Sequence, residues 1–269
     1  MKANYIHVCF VIDESGSMSS TAKDVVEGFK KVIDEQKSMT DGTCSISLYK
    51  FNDEVQEVYI GKDINDVQPL TTKPFDLGNL FKKSPKAPNI AKKSTDVTLM
   101  SPDDDMIENL SNYSEASYDP HGCTAMYDGI GTAIDNIGVW LNSMQEDEKP
   151  SQNLIVIMTD GIENASYKYT AEMVQERIKH QTEKYSWSFI YMGTDITTRE
   201  YADSLGIKIQ SYSSRDKHMN NYEVVNNATS MYRSTKGLSS EAALNMMNDY
   251  LADEAKSSTN AYMKEVGTF

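Results

Sequence analysis

Two short apolar runs constrain the fold of this chain more than any other feature of its sequence. They read "YIHVCFVI" at residues 5 to 12 and "NLIVIM" at residues 153 to 158. Each is almost continuously apolar, and a run of this length is typical of a parallel strand that helices cover on both faces. The two runs therefore predict the centre of a parallel β-sheet.

Strand patterns and helix patterns alternate along the rest of the chain. Further strands are predicted at 44–51, 54–60, 187–192 and 207–210. Apolar residues that return every three or four positions predict helices at 20–38, 125–144, 170–184, 195–205, 219–234 and 239–254, followed by a frayed tail. The segment "FNDEV" after the second strand has the turn composition of a hairpin. This order of elements predicts a Rossmann-like, doubly wound α/β fold.

Charge and composition argue against several classes of protein. The formal net charge is −14, with 40 acidic and 26 basic residues, which disfavours binding to nucleic acid or to an anionic membrane. The N-terminus lacks the apolar segment of a secretory signal, so we expect a cytoplasmic protein. Cys9, Cys44 and Cys123 have no metal-ligand spacing, and their odd number favours reduced thiols.

One connection is far longer than the others. Between Ile60 and Thr124 lie residues 61–123, whereas connections in compact domains commonly have about two to eight residues. This stretch holds six of the seven prolines, and we interpret its middle, about 71–119, as an insertion. Its first half is rich in lysine and its second half in acidic residues, which is compatible with a solvated loop or with a docking segment.

Oxygen-bearing side chains follow the predicted central strands. In an open α/β sheet, ligands bind beyond the carboxyl ends of the strands. After these strands the sequence has Asp13, Ser15, Ser17, Thr159 and Asp160, and Thr124 comes directly before the predicted helix at 125–144. Hydroxyl and carboxylate oxygens, without a neighbouring histidine or thiolate pair, indicate a site for Mg²⁺ or Mn²⁺. Such an ion would keep an open position that can accept a carboxylate from a partner.

Each of these residues also has a purely structural interpretation. Ser15 and Thr124 could cap the helices that follow them, and Asp160 could belong to an ordinary turn. Asp128, one helical turn beyond Thr124, could support the site or could be an ordinary surface acid. Glu14 is expected to face solvent.

Three motifs together resemble a known family. The segments "DESGSM", "GCTAMYDGIG" and "IMTDG" are similar to the three parts of the metal-ion-dependent adhesion site of von Willebrand factor type A domains. The resemblance covers roughly residues 5 to 235 and is strongest to the small intracellular members of bacteria and bacteriophages.

The resemblance implies both a ligand set and a sheet topology. Ser15 and Ser17 would bind the metal through their hydroxyls, and Thr124 would be a third ligand, directly or through water. Asp13 and Asp160 would act directly or through bound water. The six strands would lie in the order 3-2-1-4-5-6, with strand 3 antiparallel at the edge of the sheet.

These observations predict a domain division and a function. Residues 1–235 would form the von Willebrand factor type A domain, and residues 236–269 a C-terminal helix and tail. The chain would be a Mg²⁺- or Mn²⁺-dependent protein-binding module, not an enzyme, that engages an acidic residue of a partner protein.

Two other functions remain open at this point. One is a metal-dependent hydrolase or phosphotransferase, although the sequence has no glycine-rich phosphate loop and His121, beside Cys123, is its one candidate base. The other is a structural or assembly protein that binds its partner through the insertion.

Overall fold

The computed structural model describes residues 1–72, 116–193, 198–213, 219–235 and 238–265. The lysine-rich half of the insertion and nearly all of its acidic half lie outside these residues, so the interpretations of both halves stay predictions. No helix in the part of the chain that the structure describes is long and apolar enough to cross a membrane.

Six strands within the described residues form one sheet in the order β3-β2-β1-β4-β5-β6. Their bounds are β1 (Lys2–Asp13), β2 (Thr43–Phe51), β3 (Val55–Asp63), β4 (Pro150–Thr159), β5 (Ser188–Gly193) and β6 (Ile209–Tyr212). Every neighbouring pair is parallel except β2 and β3, which are antiparallel at one edge. The predicted fold class and strand order are confirmed.

Helices cover both faces of this sheet. Their bounds are α1 (Ala22–Ser38), α2 (Met126–Ser143), α3 (Ala171–Tyr185), α4 (Arg199–Ser204), α5 (Met219–Arg233) and α6 (Ser240–Glu265), with short 3-10 helices at Gly16–Ser20 and Ile64–Asp66. Phe51 pairs with Val55 across a three-residue loop, as expected for the hairpin.

The central strand β1 contributes to two separate hydrophobic cores, which explains its continuous apolar run. Ile6, Val8 and Phe10 pack into a core with α1, α5 and α6. Cys9 and Val11 point the other way, into a core with α2, α3 and α4. A strand with helices on both faces has no solvent-exposed side, so its sequence does not alternate.

The C-terminal helix is longer than predicted. The apolar periodicity predicts an end at residue 254 and a frayed tail, but α6 continues to Glu265. Met247 and Leu251 are fully buried, and the Thr259 hydroxyl accepts a hydrogen bond of 3.2 Å from the backbone N–H of Tyr212 on β6. Tertiary contacts with the edge strand thus stabilise a helical end that local periodicity alone does not indicate. The division between 1–235 and 236–269 stays a prediction.

Candidate metal centre

The first part of the site is the loop that follows β1. The backbone N–H of Ser15 donates a hydrogen bond of 2.7 Å to Asp13 Oδ1, and Ser15 Oγ lies 3.0 Å from Ser17 Oγ. Ser15 occupies the N-cap position of the 3-10 helix, yet its side chain makes no capping hydrogen bond. Two neighbouring ligands of an octahedral Mg²⁺, each at about 2.1 Å, are separated by about 3.0 Å. The spacing of the two hydroxyls therefore fits such an ion.

The second part is the loop before α2, which carries Thr124. The N-cap of α2 is Ala125, so Thr124 does not cap this helix. The Thr124 N–H donates to Asn164 Oδ1 over 2.9 Å, and the Asn164 N–H donates to the Thr124 carbonyl over 3.1 Å. These reciprocal bonds join the threonine loop to the loop after β4.

The third part is the turn after β4, where a glycine permits a close approach. A Cβ on Gly161 would lie 2.8 Å from Thr124 Oγ1 and 3.0 Å from Asp13 Oδ2. These two oxygens come from different loops and therefore converge on one point beside Gly161. Any side chain larger than that of glycine at position 161 would displace at least one of these two oxygens. The preceding residue, Asp160, is buried, with 8% of its surface exposed.

The electrostatics of this pocket favour a cation. Burial raises the pKa of the Asp13 carboxyl to about 6, hydrogen bonds from Ser15 and Thr159 lower it, and the nearby charge of Asp160 raises it. A buried carboxyl group such as that of Asp13, close to a second acidic side chain, is costly to ionise unless a positive charge compensates it. A divalent ion beside Asp13 and Asp160 would supply that charge.

The side chains available to bind a metal at this site are hydroxyls as well as carboxylates. Among the residues that the structure describes, no three His, Cys, Asp or Glu side chains are close enough to hold a metal by themselves. The described structure does bring together the loops that carry Asp13, Ser15, Ser17, Thr124 and Asp160. The assignment of these five residues as ligands stays a prediction.

Two carboxylates that sequence reasoning left undecided or missed organise the loop after β4. Asp128 is buried and accepts backbone N–H bonds from Tyr167, Lys168 and Tyr169, the shortest at 2.7 Å. Glu163 accepts the N–H of Tyr127 over 3.0 Å. Asp128 is therefore not a surface acid. Its position one turn after Thr124 was the available signal, whereas no sequence pattern singles out Glu163.

The expectation that Glu14 faces solvent is wrong. Its side chain is buried and forms a salt bridge with Lys50, with 3.1 Å between Oε1 and Nζ. A buried carboxylate needs a charged partner, and Lys50 supplies one from the neighbouring strand. The signal in the sequence was the lysine within the otherwise apolar end of "SISLYKF".

The arrangement around Cys123 opposes its use as a nucleophile. The Asp53 carboxylate accepts the backbone N–H of Cys123 over 3.2 Å, and its proximity raises the pKa of the Cys123 thiol, which disfavours the reactive thiolate. His121 Nδ1 lies 2.6 Å from the Asp119 carbonyl, and its Nε2 lies 3.2 Å from Asn52 Nδ2. Both ring nitrogens of His121 thus contact groups other than the Cys123 thiol, namely the Asp119 carbonyl and the Asn52 side chain.

Comparisons with known proteins support the fold. No family model matches this sequence, and no curated protein matches it. The von Willebrand factor domain of the type V pilus tip protein Mfa5 from Porphyromonas gingivalis is 9% identical, with a TM-score of 0.53 over 89% of this chain and 99% of that one. Proximal thread matrix protein 1 from the mussel byssus is 14% identical, with a TM-score of 0.50 over 84% of this chain.

The chain spans 46% of the mussel protein's structure, so it corresponds to less than half of that molecule. At these identities the likeness concerns the fold alone. The chain has the α/β fold of a von Willebrand factor domain. An intact metal site and a bacterial or bacteriophage origin stay predictions.

Proposed function

We propose that this chain is a metal-dependent protein-binding module and not an enzyme. Ser15, Ser17 and Thr124 would hold Mg²⁺ or Mn²⁺ through their hydroxyls, and Asp13 and Asp160 would contribute directly or through water. An ion held mainly by neutral oxygens keeps enough positive charge to attract a carboxylate from a partner protein. The free cysteines Cys9, Cys44 and Cys123 fit a reducing compartment, in keeping with a cytoplasmic location.

One observation carries this proposal above all others. Thr124 Oγ1 and Asp13 Oδ2 both lie within 3.0 Å of the same point beside Gly161, and the paired hydroxyls of Ser15 and Ser17 are on the loop that Asp13 begins. Two segments far apart in the sequence supply these groups, and a third segment places Gly161 beside them. Capping and turn formation do not require such a convergence of oxygens, whereas a bound ion does.

The loop after β4 suggests what surrounds the partner's carboxylate. Ile162, two residues after Asp160, is 52% exposed, and Tyr167 on the same loop is 86% exposed. Asp128 and Glu163 hold this loop through backbone hydrogen bonds, so the two apolar side chains are presented at little entropic cost. We infer that the partner offers an acidic residue with an apolar residue close to it.

Metal binding is tested by titration calorimetry with Mg²⁺ and Mn²⁺. The wild-type chain should bind one ion, and Ser17→Ala should bind it at least about tenfold more weakly, because the variant lacks one of the two paired hydroxyls. Ser20→Ala, an exposed serine of the same 3-10 helix, is the matched control and should bind as the wild type does. Equal affinity in all three proteins would overturn the proposed metal site.

The interaction itself is tested by affinity capture from the native cell extract. A partner retained in Mg²⁺ and released by a chelator supports a metal-dependent module. A partner that stays bound in chelator, and is lost on deletion of residues 73–112, would instead show a structural or assembly protein that binds through the insertion.

A further inference from the structure

A buried ion pair lies directly behind the metal-binding loop. Glu14 stands between Asp13 and Ser15, and its side chain turns inward to Lys50 near the end of β2. The two side chains are 8% and 3% exposed. A buried pair of this kind is favourable only when further hydrogen bonds satisfy its remaining atoms. The further hydrogen bonds of Glu14 and Lys50 show which segment of the chain this ion pair holds in place.

Both charged groups also bind the chain that returns from the insertion, residues 117–122, which we call the return segment. Glu14 Oε1 accepts the N–H of Asp119 over 2.7 Å. Lys50 Nζ donates to the carbonyl of Ser117 over 2.5 Å. The ion pair thus connects the metal-binding loop to the return segment as well as to β2.

Three more bonds fasten the same two segments together. The Tyr118 hydroxyl donates to the Asp13 carbonyl over 2.5 Å and is buried. The His121 N–H donates to the Glu14 carbonyl over 2.9 Å, and the Gly16 N–H donates to the Gly122 carbonyl over 3.1 Å. The whole loop from Asp13 to Gly16 therefore rests against the return segment.

We propose that Glu14, Lys50 and Tyr118 are positioning residues of the metal site. They are not among the five proposed ligands, but they set the metal affinity by holding the Asp13–Ser17 loop against the return segment. This inference rests on the proposed metal-dependent function. It also gives the insertion a physical connection to the site, because the return segment begins with the insertion's C-terminal end at residues 117–119.

The coupling between metal binding and the contacts of the return segment is reciprocal. A contact that stabilises metal binding is itself stabilised when the metal binds, since coupling free energies are reciprocal. The return segment is joined in turn to the start of the insertion, where the Tyr118 N–H donates to the Thr71 carbonyl over 2.8 Å. Metal binding should therefore slow hydrogen exchange at the backbone N–H groups of Tyr118 and Asp119.

The test uses Tyr118→Phe, which removes one hydroxyl and keeps the ring. The matched control is Tyr232→Phe, since Tyr232 is an equally buried tyrosine whose hydroxyl bonds Ser151 Oγ over 3.0 Å, outside the metal-binding loops. Calorimetry should show about tenfold weaker Mg²⁺ binding for Tyr118→Phe and an unchanged affinity for the control. Glu14→Gln, which keeps the shape but loses the charge, should also weaken binding.

A second measurement does not need the metal. In metal-free protein, the backbone N–H groups of Ser15 and Gly16 should exchange faster in Tyr118→Phe than in the wild type, and at the wild-type rate in Tyr232→Phe. If the wild type binds Mg²⁺ and Tyr118→Phe changes neither the affinity nor the exchange, the inference fails while the proposed function stands. If the wild type binds neither Mg²⁺ nor Mn²⁺, the proposed function fails, and unchanged exchange in Tyr118→Phe would remove the positioning role as well.

Discussion

The hydroxyl of Thr159 donates a hydrogen bond of 2.6 Å to Asp13 Oδ2, which joins the ends of the two central strands β1 and β4. Because the Ser15 N–H holds Oδ1, both carboxylate oxygens of Asp13 have fixed partners. The same Thr159 oxygen accepts the N–H of Gly161 over 3.0 Å. Thr159 therefore orients both the Asp13 carboxylate and Gly161, the glycine that Thr124 Oγ1 and Asp13 Oδ2 approach closely.

Replacing Thr159 by valine keeps the shape of the side chain and removes this bridge. We expect the free energy of unfolding to fall by about 1–3 kcal/mol and the Mg²⁺ affinity by about tenfold, because Asp13 and the Gly161 N–H lose their partner. Thr229→Val is the matched control, since the buried Thr229 hydroxyl donates to the Val225 carbonyl within α5. Denaturant unfolding and calorimetry measure both effects, and an unchanged Mg²⁺ affinity in Thr159→Val would contradict the role given to Thr159.

Adding one methyl group at Gly161 should disrupt the site. The new Cβ would lie 2.8 Å from Thr124 Oγ1 and 3.0 Å from Asp13 Oδ2, so one loop must move. We expect Gly161→Ala to weaken Mg²⁺ binding by at least about tenfold. In α2, a Cβ on Gly138 would meet no atom within 4 Å, so Gly138→Ala should keep the affinity and raise stability by about 0.5–1 kcal/mol. Similar Mg²⁺ affinities in the two variants would be incompatible with the proposed site.

A charge at Ile162 should separate partner binding from metal binding. Ile162 is exposed, so Ile162→Asp should leave the melting temperature and the Mg²⁺ affinity near their wild-type values. We expect at least about tenfold weaker partner binding, because an aspartate beside the site would repel an acidic partner. The control is Val139→Asp on α2, where the valine is 72% exposed. Surface plasmon resonance with the captured partner measures the difference, and equal binding by both variants would exclude Ile162 from the interface.

The buried His7 should make stability depend on pH. Its Nδ1 lies 2.9 Å from Ser45 Oγ and its Nε2 lies 3.1 Å from Ser47 Oγ, and burial lowers its pKa to about 3. The unfolded chain binds a proton near pH 6.5 while the folded chain does not, so the stabilisation is present above pH 6.5 and is lost as the pH falls towards 3. We expect a loss of about 1.4 kcal/mol per pH unit from this histidine.

Asp13 titrates in an overlapping range with the opposite sign. Its pKa is raised to about 6 in the metal-free fold, so its contribution to stability is greatest at low pH and is lost as the pH rises through 6. The difference between the wild type and His7→Gln therefore isolates the histidine. Urea unfolding at pH 7, 6 and 5 measures it, and parallel pH profiles for the two proteins would show that His7 is not the cause.

Removal of residues 236–269 should destabilise the whole domain. Met247 and Leu251 are fully buried, and their loss alone would cost about 3–6 kcal/mol. The outer edge of β6 would also be uncovered, which favours aggregation. Light scattering and thermal unfolding measure both effects, and a soluble 1–235 fragment with the wild-type melting temperature would show that α6 is dispensable. Thr259→Val is a milder variant, which removes only the hydroxyl that accepts the Tyr212 N–H and donates to the Gln210 carbonyl.

The sequence by itself was enough to predict the sheet and to single out the segments that carry the candidate ligands. The two central strands are buried on both faces, so burial alone dictates their apolar composition, and the hairpin depends on three local residues. The motif from Asp13 to Ser17 is equally local. These features could be recognised because each depends on residues that are neighbours in the chain.

Only the tertiary structure decided how these parts are held together. Glu14 turns inward because Lys50, 36 positions away, neutralises it, and Asp13 is oriented by Thr159, which is 146 positions away. Asp128 is buried because the loop at 167–169 folds over it, and α6 extends past residue 254 because β6 lies against it. Hydrogen bonds and ion pairs between distant segments leave no periodic trace in a sequence, since each partner looks like an ordinary polar residue until the fold brings the two together.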